Sequence, residues 1–172
     1  VPTYDISEGK ASTSAGTHNA FTIYIPDCEM DKVEKQWKKF MKRKKSKPTG
    51  DFNEMVAPKA KIKTISSDRV DVTSKMKLKG SGVELTALYK VGEEYVSSAK
   101  HPSKVKSIER MLSDFALIFA RYAEEDALKQ QKKDLKAHEG DLKKKEREAD
   151  KIAAKVIKFK KMLTEAELEK AA

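Results

Sequence analysis

Cysteine is nearly absent from the chain: Cys28 is the only one. A lone thiol excludes an intrachain disulfide and any cysteine metal cluster. Glycine numbers seven and proline five in 172 residues. None of the glycines builds a phosphate-cradling loop; Gly80-Ser81-Gly82 reads as a hairpin turn. No apolar run approaches the ~20 residues that a membrane-spanning helix requires. Arginine is scarce as well. Of 37 basic residues only Arg43, Arg69, Arg110, Arg121 and Arg147 are arginine. Arginine is the usual choice for bidentate phosphate contacts, whereas lysine is a hydrated point charge. The lysine bias therefore reads first as a solvated surface. The three histidines, His18, His101 and His138, stand far apart, and none has a partner at metal-ligand spacing. Cys28 sits beside a helix start, where a thiolate would be stabilised, but no base accompanies it. There is no nucleophile elbow and no paired-carboxylate motif. No catalytic residue, cofactor or metal ligand is assigned, and the chain is expected not to be an enzyme.

What is abundant is charge. Charged residues make up 37% of the chain and hydrophobic ones 38%, with a formal net charge of +10. The core must therefore be small for the length. The charge is segregated. Residues 1–31 hold one lysine against five acids, while residues 32–47 hold nine basic residues against Glu34 alone. Residues 59–79 hold seven against two, and the stretch from 102 onward 18 against 14.

That last stretch dominates the chain. From Pro102 to Lys170 there is no further proline and one glycine, Gly140, in a background of Lys, Glu, Leu and Ala. These are good helix formers. A straight helix of that length would span roughly 100 Å at about 1.5 Å per residue. Proline is well tolerated at its first position. Val105, Ile108, Leu112, Phe115, Phe119 and Tyr122 form a stripe suited to packing on a sheet. Met111, Leu117, Ile118 and Ala120 lie outside it, so this part of the helix is apolar nearly all round and should be covered on more than one side. Beyond residue 124, Leu128, Leu135, Leu142, Ala149, Val156 and Leu163 recur every seven residues. Their companion positions are Gln131, His138 and Lys145, then Ile152, Phe159 and Ala166. The seam is thus half polar at first and apolar after residue 146. Two geometries are open. The preserved heptad phase favours one helix passing through Gly140. A hairpin would turn at His138-Glu139-Gly140-Asp141, with Gly140 ending one arm and Asp141 capping the next.

The preceding region alternates element types. Residues 1–20 read as a small, polar leader held against the body through Tyr4 and Ile6. Phe21 to Ile25 reads as a strand. Pro26-Asp27 opens a helix to about Lys45, with Asp27 as N-cap and Val33, Trp37, Phe40 and Met41 as its apolar stripe. After a connection over 47–57, three strands are expected. Ala60, Ile62 and Thr64 alternate with Lys59, Lys61 and Lys63. Val70, Val72, Ser74, Met76 and Leu78 alternate with polar residues, and Val83, Leu85, Ala87 and Tyr89 alternate with Glu84, Thr86, Leu88 and Lys90. Ser66-Ser67-Asp68 and Gly80-Ser81-Gly82 supply the turns. Glu94 to Ser98 reads as a short edge strand. The fold class is therefore α+β: an antiparallel sheet of about four strands in the order β-α-β-β-β-α, helices on one face and the other face wet. The domain covers residues 1–123, and a helical coiled-coil-type extension follows over 124–172.

Two surfaces carry the functional expectation. The first is an association seam on the extension, Leu142, Ala149, Ile152, Val156, Phe159 and Leu163, for self-association or a protein partner. The second is a basic cluster, Lys38, Lys39, Lys42, Arg43, Lys44 and Lys45, with Lys61, Lys63, Lys75 and Lys77 on the wet sheet face. It would attract nucleic acid or another polyanion through phosphate charge alone, since that face lacks the aromatics that stack bases. The 149–168 stretch also has the lysine-flanked apolar stripe of an interfacial membrane helix, but coiled-coil packing is the preferred account of that pattern.

The segments NAFTIYIP, VEKQWKKFMK, SSDRVDV and HPSKVKSIERMLSDFA, running into the Lys/Glu heptads, are similar to those of a group of uncharacterised Bacteroidetes-type bacterial proteins. In that group a small α+β domain precedes a coiled-coil tail. The resemblance covers most of residues 19–170. It implies no activity and no site residue, and it favours an exported protein. A chain beginning at Val1 fits a mature product after signal cleavage as well as a trimmed one, so both an exported and a cytoplasmic location stay open.

Overall fold

The structure is a computed structural model that describes residues 3–172. Its elements are β1 (Ile6–Thr13), β2 (Gly16–Ile25), α1 (Met30–Arg43), β3 (Thr49–Gly50), β4 (Met55–Ala60), β5 (Val70–Lys79), β6 (Gly82–Val91), β7 (Glu94–Tyr95) and α2 (Pro102–Ala171). The strands form one antiparallel sheet in the order β1-β2-β6-β5-β4-β3, with β7 on β6. The chain divides into two compact units, Val1–Ala123 and Glu124–Ala172.

The fold is α+β, but the sheet has seven strands among the described residues, not about four. The largest correction is at the N-terminus. The expected polar leader is a β-hairpin, β1 paired residue for residue with β2 from Ile6↔Ile23 to Thr13↔Gly16. Val1 and Pro2 of that leader lie outside the described residues. Tyr4 and Ile6 do pack against the core. The Ser, Thr, Gly and Ala of this hairpin carry little strand signal of their own, so its pairing rests on tertiary contacts. Ser14 at the tip donates from its N–H and hydroxyl to both carboxylate oxygens of Glu54. Lys75 Nζ donates to the Ser12 carbonyl at 2.9 Å. The tip thereby reaches over β6 and β5. Beneath it Ala20 and Leu88, both on the face away from the helices, are buried. The sheet face expected to be wet is therefore partly roofed by the protein's own hairpin.

The second correction concerns β4. The expected strand over Lys59–Thr64 is instead Met55–Ala60, with Pro58 inside it. Pro58 cannot donate to a ladder, and the register shifts between Ala57 and Ala60, with Lys59 at φ 51°. Proline is tolerated in a sheet at such bulges. The chain then leaves the sheet. Ile62 and Ile65 are buried by a turn in which the Ile65 and Ser66 N–H groups donate to the Ile62 carbonyl. Lys61 and Lys63 consequently do not lie on the sheet. β5 and β6 run as expected, joined through the turn Gly80-Ser81, where Gly80 has φ 57°. Leu78, at the far end of β5, is exposed.

The helices cover one face. α1 begins at Met30 and has no side-chain cap. Asp27 does not cap it: at φ 50° its carboxylate accepts from Ser81 Oγ at 2.8 Å and ties the helix approach to the β5–β6 turn. Val33, Trp37, Phe40 and Met41 are buried as their spacing requires. Trp37 meets Phe115 edge-on, with centroids 4.9 Å apart at 80°, the arrangement aromatic pairs prefer. Its Nε1–H donates to Ser74 Oγ at 2.9 Å. That bond explains a serine in the apolar row of β5, because a buried indole N–H needs an acceptor. From α2 the core takes Val105, Ile108, Met111, Leu112, Phe115, Ala116 and Phe119. Tyr89 is buried with its hydroxyl unpartnered, and burial pushes its phenol pKa up.

Candidate functional site: the tail stripe and the basic end of the first helix

α2 passes through Gly140 unbroken to Ala171, so the hairpin geometry does not form. A methyl group at Gly140 would meet nothing within 4 Å. Every residue from 124 to 172 is exposed. Within that unit, Leu142, Ala149, Ile152, Val156, Phe159 and Leu163 share one side of the helix, as residues seven or three to four apart must. Phe159 is 64% exposed, Ile152 63%, Leu163 61% and Val156 45%. Fully burying such a side chain is worth about 1.5–3 kcal/mol each. The stripe therefore holds on the order of 6–12 kcal/mol of unused burial per chain, comparable to the whole stability of a small domain. Most of the remaining helix surface is charged, though Ile157, Met162 and Leu168 are exposed outside the stripe. Lys144 lies 4.0 Å from Asp141, and Gln130 donates to Asp134 at 2.9 Å. Such exposed contacts add little to helix stability.

The basic cluster divides. Lys38 pairs with Glu34 one turn back. Arg43 Nη2 donates to Tyr122 Oη at 2.8 Å. The Lys44 ammonium sits 5.1 Å from the centre of the Phe40 ring. Lys39, Lys42 and Lys45 are exposed and make no ion pair among the described residues. Of the sheet lysines, Lys75 is engaged with Ser12 and Lys77 is exposed. The structure thus leaves Lys39, Lys42 and Lys45 exposed and engages Lys38, Arg43 and Lys44 with neighbours.

Beside the end of α1 lies a groove of about 520 Å³ that the sequence did not reveal. Phe40, Met111 and Ile118 supply apolar walls, and Lys44, Arg110 and Arg121 supply cations, with Asp114 among them. Two of the chain's five arginines therefore line one groove. The signal that could have found it was Met111, Leu117 and Ile118 lying off the main stripe of α2.

No family model, curated protein or solved structure matches this chain.

Most of the remaining candidate groups have structural partners. His18 stacks on Tyr95 with centroids 3.9 Å apart. His101 Nε2 lies 3.4 Å from Glu94. His138 is on the exposed tail. No cluster of three metal-competent side chains exists among the described residues. Cys28 is half-buried and its thiol donates to the Ile25 carbonyl at 3.1 Å. Burial pushes its pKa up, opposite to the thiolate stabilisation that its place near a helix start suggested. Among the described residues no helix is long and apolar enough to cross a membrane.

Proposed function

We propose that this is a non-enzymatic interaction protein that self-associates through its C-terminal helix. One observation carries the reading: the apolar stripe from Ala149 to Ala166 is exposed along its whole length, on a helix whose remaining surface is mostly charged. Isolated helices are marginal in water, and most helix stability in proteins comes from packing an apolar face. A coiled-coil pairing of the stripe supplies that packing. Solution mass tests it. The full chain is expected to exceed the monomer mass, and Val156→Asp with Phe159→Asp to return it to monomer with loss of tail helicity. Unchanged mass and helicity in the double variant would remove the seam assignment.

A second reading is favoured by the outward set Lys39, Lys42 and Lys45, exposed and unpaired with acids among the described residues. It makes this end of α1 a docking point for nucleic acid or another polyanion. Such binding weakens steeply with salt. Neutralising these lysines should abolish retention on a polyanion at low salt while leaving solution mass untouched.

A further inference from the structure

Resting on the self-association reading, we infer that the tail pairs with a second copy of itself antiparallel, in one register, with Ala149 of each copy beside Ile152 of the other. The argument comes from charges that flank the stripe. With Leu142, Ala149, Val156 and Leu163 at one seam position and Ile152 and Phe159 at the other, the flanking positions hold Asp134, Asp141, Glu148, Lys155, Met162 and Glu169 on one side and Lys132, Glu139, Glu146, Ala153, Lys160 and Glu167 on the other. Such flanking residues set orientation and partner choice.

A parallel, in-register pair would set Asp134 against Glu139, Asp141 against Glu146, and Lys155 against Lys160 of the second copy. All three are like-charged. It would also stack Gln131, His138 and Lys145 each on its own twin. The antiparallel register reverses this. Glu139 meets Lys160, Lys132 meets Glu167, and Glu148 meets Lys155. Only Asp134 meets a like charge, Glu169 near the end of the helix. Sliding the second copy by one heptad spoils the match in either direction. One slide sets Lys132 against Lys160 and Glu148 against itself. The other sets Lys155 against itself and Glu139 against Glu167.

The seam agrees with the charges. Antiparallel pairing lays the polar half of one tail on the apolar half of the other. Leu142 then meets Phe159, His138 meets Leu163, Lys145 meets Val156 and Leu135 meets Ala166. Every layer from Leu135 to Ala166 has an apolar member. Lys145 can lay its methylene stem along Val156 and keep its ammonium in water. The two halves of the tail, one polar and one apolar, are complements in this arrangement.

The experiment uses the full chain with Cys28→Ser and one spin label at a time. A label at Lys151→Cys sits at the centre of the pair, so its two copies should lie within about 24 Å, the width of two helices side by side. A label at Lys136→Cys lies opposite Glu165 of the second copy, 29 residues along the sequence. Its two copies should be about 43 Å apart at 1.5 Å per residue. Short distances at both sites would establish a parallel pair, overturning the register while leaving self-association standing. Monomer mass with no dipolar coupling at either site would remove both. An independent arm needs no label. Glu139→Lys should weaken the dimer about tenfold by opposing Lys160, and adding Lys160→Glu should restore it. If Glu139→Lys tightens the dimer instead, Asp134 is its neighbour and the parallel arrangement holds.

Discussion

α2 carries two apolar stripes built from the same kinds of residue. The one from Val105 to Phe119 is buried against α1 and the sheet; the one from Ala149 to Ala166 is exposed. Phe115 and Phe159 make the contrast sharp. Each sits at helical spacing among aliphatic neighbours, yet Phe115 is fully buried among Trp37, Phe40 and Phe119 while Phe159 is 64% exposed. Periodicity states that a face must be covered and is silent on what covers it. Within the first unit the cover is encoded nearby, in the stripe of α1 and the alternation of β5 and β6. For the tail it is not.

The largest test of that contrast is a matched pair. Phe115→Ala should destabilise the first unit by about 3–5 kcal/mol, the usual range for a buried aromatic truncation. Phe159→Ala should leave the same unit's unfolding midpoint within about 0.5 kcal/mol. It should act only on tail helicity and association, in a manner that depends on protein concentration. Comparable losses from both substitutions at every dilution, read by denaturant titration, would erase the distinction. Next in size, Ser74→Ala removes the acceptor of the buried Trp37 N–H and should cost about 1–3 kcal/mol. Trp37 fluorescence followed through the same titration isolates this effect to the first unit. Smaller again, Gly140→Ala should raise tail helicity, favouring the helix by about 1 kcal/mol. Circular dichroism should register it without any change in the first unit.

The smallest effect concerns the hairpin roof. The hydroxyl and N–H of Ser14 hold the Glu54 carboxyl below the usual carboxylate range. A depressed folded-state pKa contributes stability above the unfolded value and loses it as pH falls through the folded one. The β1–β2 tip should therefore loosen below about pH 4. Glu54→Gln should show faster amide exchange at Ser14 at neutral pH. Equal exchange in both proteins would show that the Glu54 contact does not hold the tip.

These contrasts also mark what could be read from the chain alone. α2 from Pro102, the stripes of both helices and the strands β5 and β6 were legible, because each is a local pattern repeated several times. The β1–β2 hairpin was not. Ser12, Ser14 and Thr17 have weak strand preference, and their pairing depends on Glu54 and Lys75, distant in sequence. β4 was misplaced because Pro58 reads as a breaker until a bulge accommodates it. The groove at Lys44, Arg110 and Arg121 was invisible because it exists only once α1 and α2 pack together. The apolar stripe of the tail was legible as a pattern, but periodicity does not say what covers it.

The sheet ends in β1 on one side and the two-residue β3 on the other. β1 exposes Ser7, Glu8, Gly9 and Lys10 in succession, and β3 is too short to template a further strand. Charged and truncated margins of this kind resist strand-by-strand growth into fibrils. Margins so protected keep the sheet from adding a second route of association to the one proposed for the exposed helix stripe.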